Sequence, residues 1–340
     1  MIPTYPLDID SLIQQLPVEQ VFPSWLDGSS VELFLLRLDL TDVDVSGNKW
    51  FKLAKNLSEA KTQEYQQLLT FGGAFSNHIY SFSKACAQAG LSSVAVIRGD
   101  ELTPESNPML AEVARSGTQL LFVDRKDYRR KYDEDRLAFY RDQVGEFFLI
   151  PEGGSNNEGV LGAESIGELV VNQTISFDHV LVACGTGATM AGIVRGMSGG
   201  ADQPQVHGLS MFGQTSVEPE RGWLTKEVAR FIADPKRTNY QLHYDARQPG
   251  YGQLNAELIE FANQFLKETG ILLDPVYTLK LMAFAKERVA QGFFDHSGKV
   301  SRILCIHTGG LHGWLGYVDQ VLGADMPAQL SGTIKQRLFS

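Results

Sequence analysis

The chain has little that would suit a secreted or membrane-spanning protein. It contains 3 cysteines in 340 residues, namely Cys86, Cys184 and Cys305. They are far apart and flanked by apolar residues, so we predict buried, reduced thiols rather than a disulfide framework or a zinc site. No apolar run is long enough to cross a bilayer, and residues 1–8 lack the basic and apolar regions of a signal peptide. We therefore expect a cytoplasmic protein.

The charge pattern argues against nucleic acid and metal as partners. The formal net charge is -10, and no run of lysines and arginines is interleaved with aromatic residues. The densest charge cluster, residues 124–141, mixes both signs and predicts a solvated helix face. His307 and His312 lack acidic or thiol partners at the spacing of a metal site, so we predict none.

Short apolar runs rich in β-branched residues alternate with longer helical patterns along most of the chain. This alternation predicts an α/β fold of open, twisted parallel sheets covered by helices. We predict strands at 31–38, 68–71, 93–97, 119–123, 147–150, 180–184, 205–210 and 303–307. We predict helices at 77–89, 107–116, 158–171, 254–269 and 278–291, with left-handed glycines at Gly90, Gly117 and Gly270 ending three of them.

The length and the hydrophobic content of 43% favour two domains over one. Two turn-rich loops, one at Gly47 and one at residues 151–157, mark the places where the chain could pass between them. We predict a large domain built from residues 1–50 and 158–340. Residues 51–157 would form a smaller inserted α/β domain.

The sequence Ser46-Gly47-Asn48-Lys49 leads into apolar residues at helical spacing, which places Lys49 at a junction between a loop and a helix. The positive end of the helix dipole and the neighbouring Lys52 both disfavour an ammonium ion there. A lowered pKa would leave a nucleophilic amine suited to Schiff-base chemistry. An isolated lysine at a helix start is usually only solvated, so this interpretation depends on the other motifs.

Two glycine-rich loops each follow a predicted strand and open a helix. In the first, residues 70–78, Ser76 and Asn77 are natural helix caps, and the end of the strand would also deliver them into a ligand-binding cleft. In the second, residues 182–192, small residues and two threonine hydroxyls suit a phosphate. Met190 replaces the last glycine of a dinucleotide fingerprint, and a Gly-Lys pair is absent. We therefore predict a phosphate monoester rather than NAD or ATP.

These motifs, together with Asp274-Pro275-Val276-Tyr277 and His307-Thr308-Gly309-Gly310, occur in an order that resembles the 1-aminocyclopropane-1-carboxylate deaminase/D-cysteine desulfhydrase family. The resemblance runs from about Ser46 to Gly310. It implies a tryptophan-synthase-β-like fold of type II with pyridoxal 5'-phosphate as the cofactor, a small amino acid as the substrate, and a homodimer.

The resemblance also implies roles for individual residues. Lys49 would form the Schiff base with the cofactor and Asn77 would hydrogen-bond its ring oxygen, with Lys52 beside it. Ser76 would hold the substrate carboxylate or move a proton, and Tyr251 and Tyr277 would face the substrate. The cofactor phosphate would lie on Thr186, Gly187, Ala188 and Thr189.

Two positions separate the branches of this family. Deaminases that open the cyclopropane ring carry glutamate and leucine where this chain has Thr278 and Thr308, which would face the pyridine nitrogen. A hydroxyl cannot keep that nitrogen protonated as a carboxylate can, which favours β-elimination over ring cleavage. We predict a D-cysteine desulfhydrase. The alternatives are a 1-aminocyclopropane-1-carboxylate deaminase, a D-serine dehydratase, a non-catalytic α/β ligand-binding protein and, last, an NAD-dependent oxidoreductase.

Overall fold

The computed structural model describes residues 9–197, 203–212, 218–244, 249–295, 298–323 and 326–338. Within these ranges the strands form two sheets. The large sheet has the order β1 (Val18–Val21), β2 (Val31–Arg37), β10 (Ser301–His307), β7 (His179–Cys184), β8 (Gln205–Ser210) and β9 (Tyr240–His243). Strand β1 pairs antiparallel with β2, and the other neighbours pair parallel.

The small sheet has four parallel strands in the order β5 (Gln119–Val123), β4 (Ser92–Arg98), β3 (Gln67–Gly72) and β6 (Phe148–Leu149). All four lie inside the predicted insertion at 51–157, whereas the strands of the large sheet lie outside it. The division of the chain into two domains stays a prediction.

Helices connect the strands of both sheets. They are α1 (Ile9–Ile13), α2 (Asn48–Thr62), α3 (Asn77–Ala89), α4 (Pro108–Arg115), α5 (Arg125–Arg129), α6 (Glu134–Val144), α7 (Asn157–Val171), α8 (Ala188–Gly196), α9 (Glu218–Ile232), α10 (Ala256–Thr269), α11 (Thr278–Ala290), α12 (Val318–Leu322) and α13 (Ala328–Leu338). In the parts of the chain that the structure describes, no helix combines the length and the apolar surface needed to cross a bilayer.

The predicted elements are confirmed, with bounds that differ by at most two residues. Gly90, Gly117 and Gly270 have φ values of 69°, 89° and 73°, in the left-handed region. The sequence pattern missed the edge strands β1 and β9. In each of them only the last residue is buried, so neither carries a clear apolar pattern.

Helix α2 is anchored mainly by its apolar side chains. Trp50, Phe51 and Leu53 are fully buried and share one apolar core with Val180 and Val182 of β7. Helix α7 packs directly on α2, because Gly162 brings the two backbones so close that a methyl group there would lie 2.0 Å from the carbonyl oxygen of Phe51. Burying three large side chains stabilises this arrangement by several kcal/mol, which fixes the helix that carries Lys49.

Candidate active site

A cavity of about 660 Å³ is lined by segments that follow the strands of both sheets. Segments after β3, β7 and β10, together with the end of β4, contribute to its wall. This is where open α/β sheets bind ligands, because the carboxyl ends of parallel strands meet there. Most of the predicted site residues line it, namely Lys49, Lys52, Ser76, Asn77, Thr186, Gly187, Thr189, Tyr251, Tyr277 and Thr308. Ala188 and Thr278 are fully buried and do not line it.

Lys49 is held in the first turn of α2 by contact between two glycines. Gly47 has a φ of 73°, and a methyl group at this position would lie 1.9 Å from the carbonyl oxygen of Thr308 and 2.8 Å from the Cα of Gly309. The Asn48 N–H donates to that same Thr308 carbonyl oxygen over 3.2 Å. Only glycine adopts this positive φ without strain and also leaves room for the Thr308 carbonyl group. The start of α2 is therefore joined directly to the end of β10.

Burial lowers the pKa of Lys49 to about 8, and the nearby carboxylate of Asp274 opposes this shift. The direction agrees with the sequence prediction, but the largest cause is loss of solvation rather than the helix dipole or Lys52. The Nζ atom donates to Oδ1 of Asn48 over 3.1 Å. With a pKa of about 8, roughly a tenth of the amine is unprotonated at pH 7, and no carboxylate of the described residues forms an ion pair with it.

Lys52 lies one turn further along the same face of α2 and is 2% exposed. Burial and the charge of Lys49 hold its pKa well below the usual range. Its Nζ lies 3.3 Å from Oγ of Ser155, which in turn hydrogen-bonds the hydroxyl of Thr186. This row of polar groups has no acidic member, so it suits an incoming anion.

The glycine loop before α8 presents backbone and hydroxyl donors to the same region. Gly187 takes a φ of 85° immediately before the helix, and a methyl group there would lie 2.6 Å from Val228. The Asn48 amide donates to Oγ1 of Thr189 over 2.8 Å, which connects this loop to the lysine helix. The free backbone N–H groups at the start of α8 thus face the side of the cavity where Lys52 lies.

Ser76 and Asn77 open helix α3 as the sequence predicted. Ser76 is the N-cap, and its Oγ accepts from the N–H of Ile79 at 3.4 Å. Asn77 has a buried Oδ1 without a hydrogen-bond partner in the protein, while its side-chain nitrogen lies close to Gly310, where a methyl group would be only 2.5 Å away. Asn77 is therefore a buried amide with unused hydrogen-bonding capacity on the cavity wall.

His78, the last residue of this loop, also lines the cavity, and it is 3% exposed. The hydroxyl of Thr70 donates to the carbonyl of Ile150 over 2.7 Å, so it accepts from Nε2–H of His78 over 2.8 Å. This fixes the tautomer and leaves Nδ1 as a buried acceptor without a partner in the protein. Burial and then the charges of Lys49 and Lys52 hold its pKa well below 6.5, so the ring is neutral.

Tyr251 and Tyr277 meet at the cavity, with their hydroxyl oxygens 3.0 Å apart. Burial raises the pKa of both, and for Tyr277 the proximity of Tyr251 adds to the rise. Both hydroxyls therefore stay protonated at neutral pH and act as hydrogen-bond donors rather than as bases. The Tyr317 hydroxyl donates to the carbonyl of Gly252 over 2.7 Å, which fixes the loop that carries Tyr251.

Asp274 organises the start of α11. Its carboxylate accepts from the backbone N–H groups of Val276, Tyr277 and Thr278 over 3.1, 2.8 and 2.7 Å. This turn directs Tyr277 into the cavity and leaves Thr278 in the core behind it. The predicted contact of Thr278 with a cofactor stays a prediction.

The remaining predicted residues have structural roles. Cys86, Cys184 and Cys305 are free and buried, as predicted. Nε2 of His307 lies 2.9 Å from the carbonyl oxygen of Leu272, and His312 stacks on Tyr80 with ring centroids 3.9 Å apart.

Comparisons with known proteins converge on one family. The model of the family "Pyridoxal-phosphate dependent enzyme" matches residues 24–309. A protein of Arabidopsis thaliana named bifunctional D-cysteine desulfhydrase/1-aminocyclopropane-1-carboxylate deaminase, mitochondrial, is 29% identical over 309 residues, covering 86% of this chain and 76% of its own length. The D-cysteine desulfhydrase of Serratia proteamaculans is 28% identical over 299 residues, covering 85% and 90%. A solved structure of an ACC deaminase homologue has a TM-score of 0.75 at 26% identity, covering 94% and 98%.

The cavity fits pyridoxal phosphate. Lys49 offers an amine of low pKa for the aldehyde, and the loop at Gly187 with Thr186 and Lys52 offers donors and a counter-charge for the phosphate. The buried amide of Asn77 has a polar atom to spare for a ring substituent. An orphaned polar atom in a folded protein commonly marks a bound group.

Sequence reasoning missed several residues of this wall and one that supports it. Ser155 does not line the cavity but contacts Lys52 from the loop interpreted as a domain break. Asn48 lines the cavity and was treated only as a turn residue, although it bonds Thr189. Arg98, Phe212 and Trp223 line the cavity from elements far apart in sequence. The only available signal was that Ser155 and Arg98 lie at or just beyond strand ends.

Proposed function

Because the chain belongs to the family of pyridoxal-phosphate-dependent enzymes, we propose that it catalyses β-elimination from a small D-amino acid, with D-cysteine as the first candidate. Pyridoxal phosphate is its cofactor, and when bound it stabilises negative charge that develops at Cα of an amino acid. The products from D-cysteine would be pyruvate, sulfide and ammonia. The names of two relatives include this activity.

The observation that carries the choice of reaction is the pair of threonines at 278 and 308. Thr308 lines the cavity and Thr278 is fully buried at the start of α11. The acidic residues among the described lining are Glu101, which is exposed, and Glu152, which pairs with Lys131 over 3.3 Å. Without a free buried carboxylate on this wall, nothing would keep the pyridine nitrogen of the cofactor protonated, so its ring would be a weaker electron sink. A weaker sink suits the loss of a good β leaving group better than the opening of a cyclopropane ring.

In this proposal the amine of Lys49 accepts the Cα proton. Its pKa of about 8 places it close to the working pH, where a general base is most effective. The neighbouring Lys52 has no carboxylate partner among the described residues, so a proton on Lys49 and a proton on Lys52 disfavour each other. Bound anions, such as the phosphate and the substrate carboxylate, would balance this charge.

Ser76 and the start of α3 would hold the substrate carboxylate. Helix α3 has 13 residues, and its first N–H groups point toward the loop at Ser76 and Asn77. One of the two hydroxyls of Tyr251 and Tyr277 donates to the other, and the proton that is not used between them would be donated to the leaving thiolate. A thiolate gains negative charge as the Cβ–S bond breaks, so a neutral donor there favours the transition state.

The test is a product assay on the purified holoenzyme. We expect sulfide and pyruvate from D-cysteine, with a kcat/KM above that for D-serine and L-cysteine. Formation of 2-oxobutanoate from 1-aminocyclopropane-1-carboxylate at a higher kcat/KM would overturn the choice of reaction. Exchange of both threonines, Thr278→Glu with Thr308→Leu, should lower the activity with D-cysteine.

The homodimer and the cytoplasmic location remain predictions. Sedimentation of the holoenzyme would measure the first, and fractionation of cells the second.

A further inference from the structure

The mouth of the cavity carries an arginine that the proposed reaction does not use. Arg98 is the last residue of β4, it is exposed, and it lines the cavity. Within the described residues it forms no ion pair and no hydrogen bond from its guanidinium. A second arginine on the wall, Arg125 at the start of α5, is also exposed and makes no ion pair with the residues that the structure describes. Guanidinium groups without a partner beside a ligand cavity can bind an anion.

One contact orients the guanidinium of Arg98. Its Cζ lies 5.7 Å from the ring centroid of Tyr128, a cation–π contact. Its Nη2 also lies near Gly73, three residues before Ser76, because a methyl group built on Gly73 would be 3.7 Å from it. Arg98 and Gly73 both line the cavity. The charge of Arg98 also reaches across the cavity to Tyr251, where it opposes the rise in pKa that burial causes.

The acidic residues near this site do not neutralise both arginines. Glu152 already pairs with Lys131, whose Nζ lies 4.4 Å from the ring centroid of the same Tyr128. Glu101 is exposed and forms no ion pair among the described residues. Lys131 does not line the cavity, but its pairing with Glu152 leaves Glu101 as the one unpaired carboxylate of the described lining, opposite the two guanidinium groups of Arg98 and Arg125. This part of the wall therefore keeps an excess of positive charge.

We propose that Arg98, assisted by Arg125, binds a second acidic group on the side chain of the substrate, so that the preferred substrate is an amino acid with an anionic side chain. This inference rests on the proposed β-elimination, and it replaces D-cysteine as the preferred substrate by an amino acid with an anionic side chain. Ser76 would hold the α-carboxylate. Arg98, at the end of β4 and close to Gly73 of the loop that carries Ser76, would hold the distal anion. The aromatic residues Phe75, Phe212 and Trp223 complete this wall.

The same contact would assist elimination when the anionic group is itself the leaving group. In O-phosphoserine, for example, the Cα proton passes to the amine of Lys49, a double bond forms between Cα and Cβ, and the Cβ–O electron pair leaves with phosphate. Water then hydrolyses the resulting enamine to a 2-oxo acid and ammonia. The leaving group gains negative charge in this step, so a fixed guanidinium stabilises the transition state.

The first test measures binding without turnover. D-Alanine and D-aspartate have no β leaving group, and each is titrated into the holoenzyme while the visible absorbance of the cofactor is recorded. We expect D-aspartate to bind about tenfold more tightly than D-alanine, the size expected for one charge-assisted hydrogen bond. Arg98→Gln should remove this preference and change the dissociation constant of D-alanine less than twofold. Arg98→Lys should keep part of the preference.

A matched control is Arg129→Gln, an exposed arginine on α5 that does not line the cavity. It should leave both dissociation constants unchanged. Equal binding of D-alanine and D-aspartate to the wild-type enzyme, or equal weakening of both by Arg98→Gln, would overturn the inference. If D-cysteine is eliminated normally in that case, the proposed function stands without the acidic preference. If no amino acid perturbs the spectrum, both the inference and the proposed function fail.

A second readout compares kcat/KM for O-phosphoserine with that for serine, using both enantiomers. Arg98→Gln should lower this ratio about tenfold. Added salt should also lower the ratio in the wild-type enzyme, because Arg98 is exposed and salt screens its attraction for the phosphate group. A ratio that is insensitive to Arg98 would contradict the assignment.

Discussion

Lys49 and Lys280 lie in two regions of the same molecule, and both have a pKa lowered to about 8 by burial. In both cases the charge of Asp274 opposes the shift. Lys280 donates to the carbonyl oxygens of Pro249 and Gly250 over 3.0 and 2.8 Å, so its amine is held by the loop that leads to Tyr251. Lys49 lines the cavity, and within the described part of the chain its amine hydrogen-bonds its neighbour Asn48 alone.

The comparison shows that a lowered pKa does not by itself identify a reactive lysine. Burial shifts the pKa of a structural lysine as far as that of a catalytic one. What differs is access, because one amine faces a cavity and the other faces backbone carbonyls. Substitutions at the two sites should therefore affect different properties, the chemistry in one case and the stability in the other.

The largest effect is expected for Lys49→Ala. Removing the amine removes both the site of covalent attachment and the proposed base, so kcat should fall at least 10³-fold, within the range for such groups. Borohydride reduction of the wild-type holoenzyme, followed by peptide mapping, should label Lys49. Labelling of Lys280 instead would reverse the assignment of the two lysines.

A smaller effect on the cofactor is expected for Lys52→Met. A bound phosphate would favour the charged form of Lys52, so loss of this amine beside Ser155 and Thr186 should raise the dissociation constant of pyridoxal phosphate about tenfold or more. Equilibrium dialysis of the apoprotein measures it. Lys55→Met, an exposed lysine on the same helix, is the control and should bind the cofactor as the wild-type protein does.

The pH dependence of cofactor attachment tests the shifted pKa directly. Only the neutral amine reacts, so the rate should rise with pH as Lys49 loses its proton. With a pKa of about 8, the rate should increase about tenfold from pH 7 to pH 9 and then level off. Stopped-flow absorbance of the apoprotein mixed with pyridoxal phosphate records this. A rate that still rises steeply above pH 10 would mean an ordinary lysine.

The smallest effect on the chemistry is expected for Lys280→Met. Cofactor attachment should persist, while the free energy of unfolding falls by about 1–3 kcal/mol because two carbonyls lose a charged donor. Urea denaturation of the apoprotein measures the loss. The opposite pattern, with attachment abolished and stability unchanged, would show that access to the cavity does not separate the two lysines.

Most of the fold and part of the site could be predicted from the sequence. Buried parallel strands such as β7 are continuously apolar, so they stand out, whereas β1 and β9 are half-exposed edges without that pattern. Motifs in which several functional residues are adjacent, such as Ser76-Asn77, were also visible. Arg98 was missed because it reaches the cavity only after distant strands align, and Ser155 was missed because its contact with Lys52 joins segments far apart in the sequence.

The cause of the shift at Lys49 could not be predicted either. The effect of a helix dipole can be inferred from the position of a residue at a helix start, and it correctly predicted that the pKa of Lys49 is lowered. Desolvation depends on what packs around the amine, which is decided by residues from across the chain.

The contact between Gly47 and Thr308 has a consequence for biosynthesis. Strand β10, which ends beside Gly47, comes late in the chain but lies between β2 and β7 in the middle of the large sheet. In a growing polypeptide, until residues 301–310 have been synthesised, the large sheet lacks its central strand. The helix start that carries Lys49 also lacks the backbone of Thr308 and Gly309 on which it packs. Loading with cofactor therefore has to wait until residues 301–310 have been synthesised, and a product truncated before this strand could not hold the cofactor.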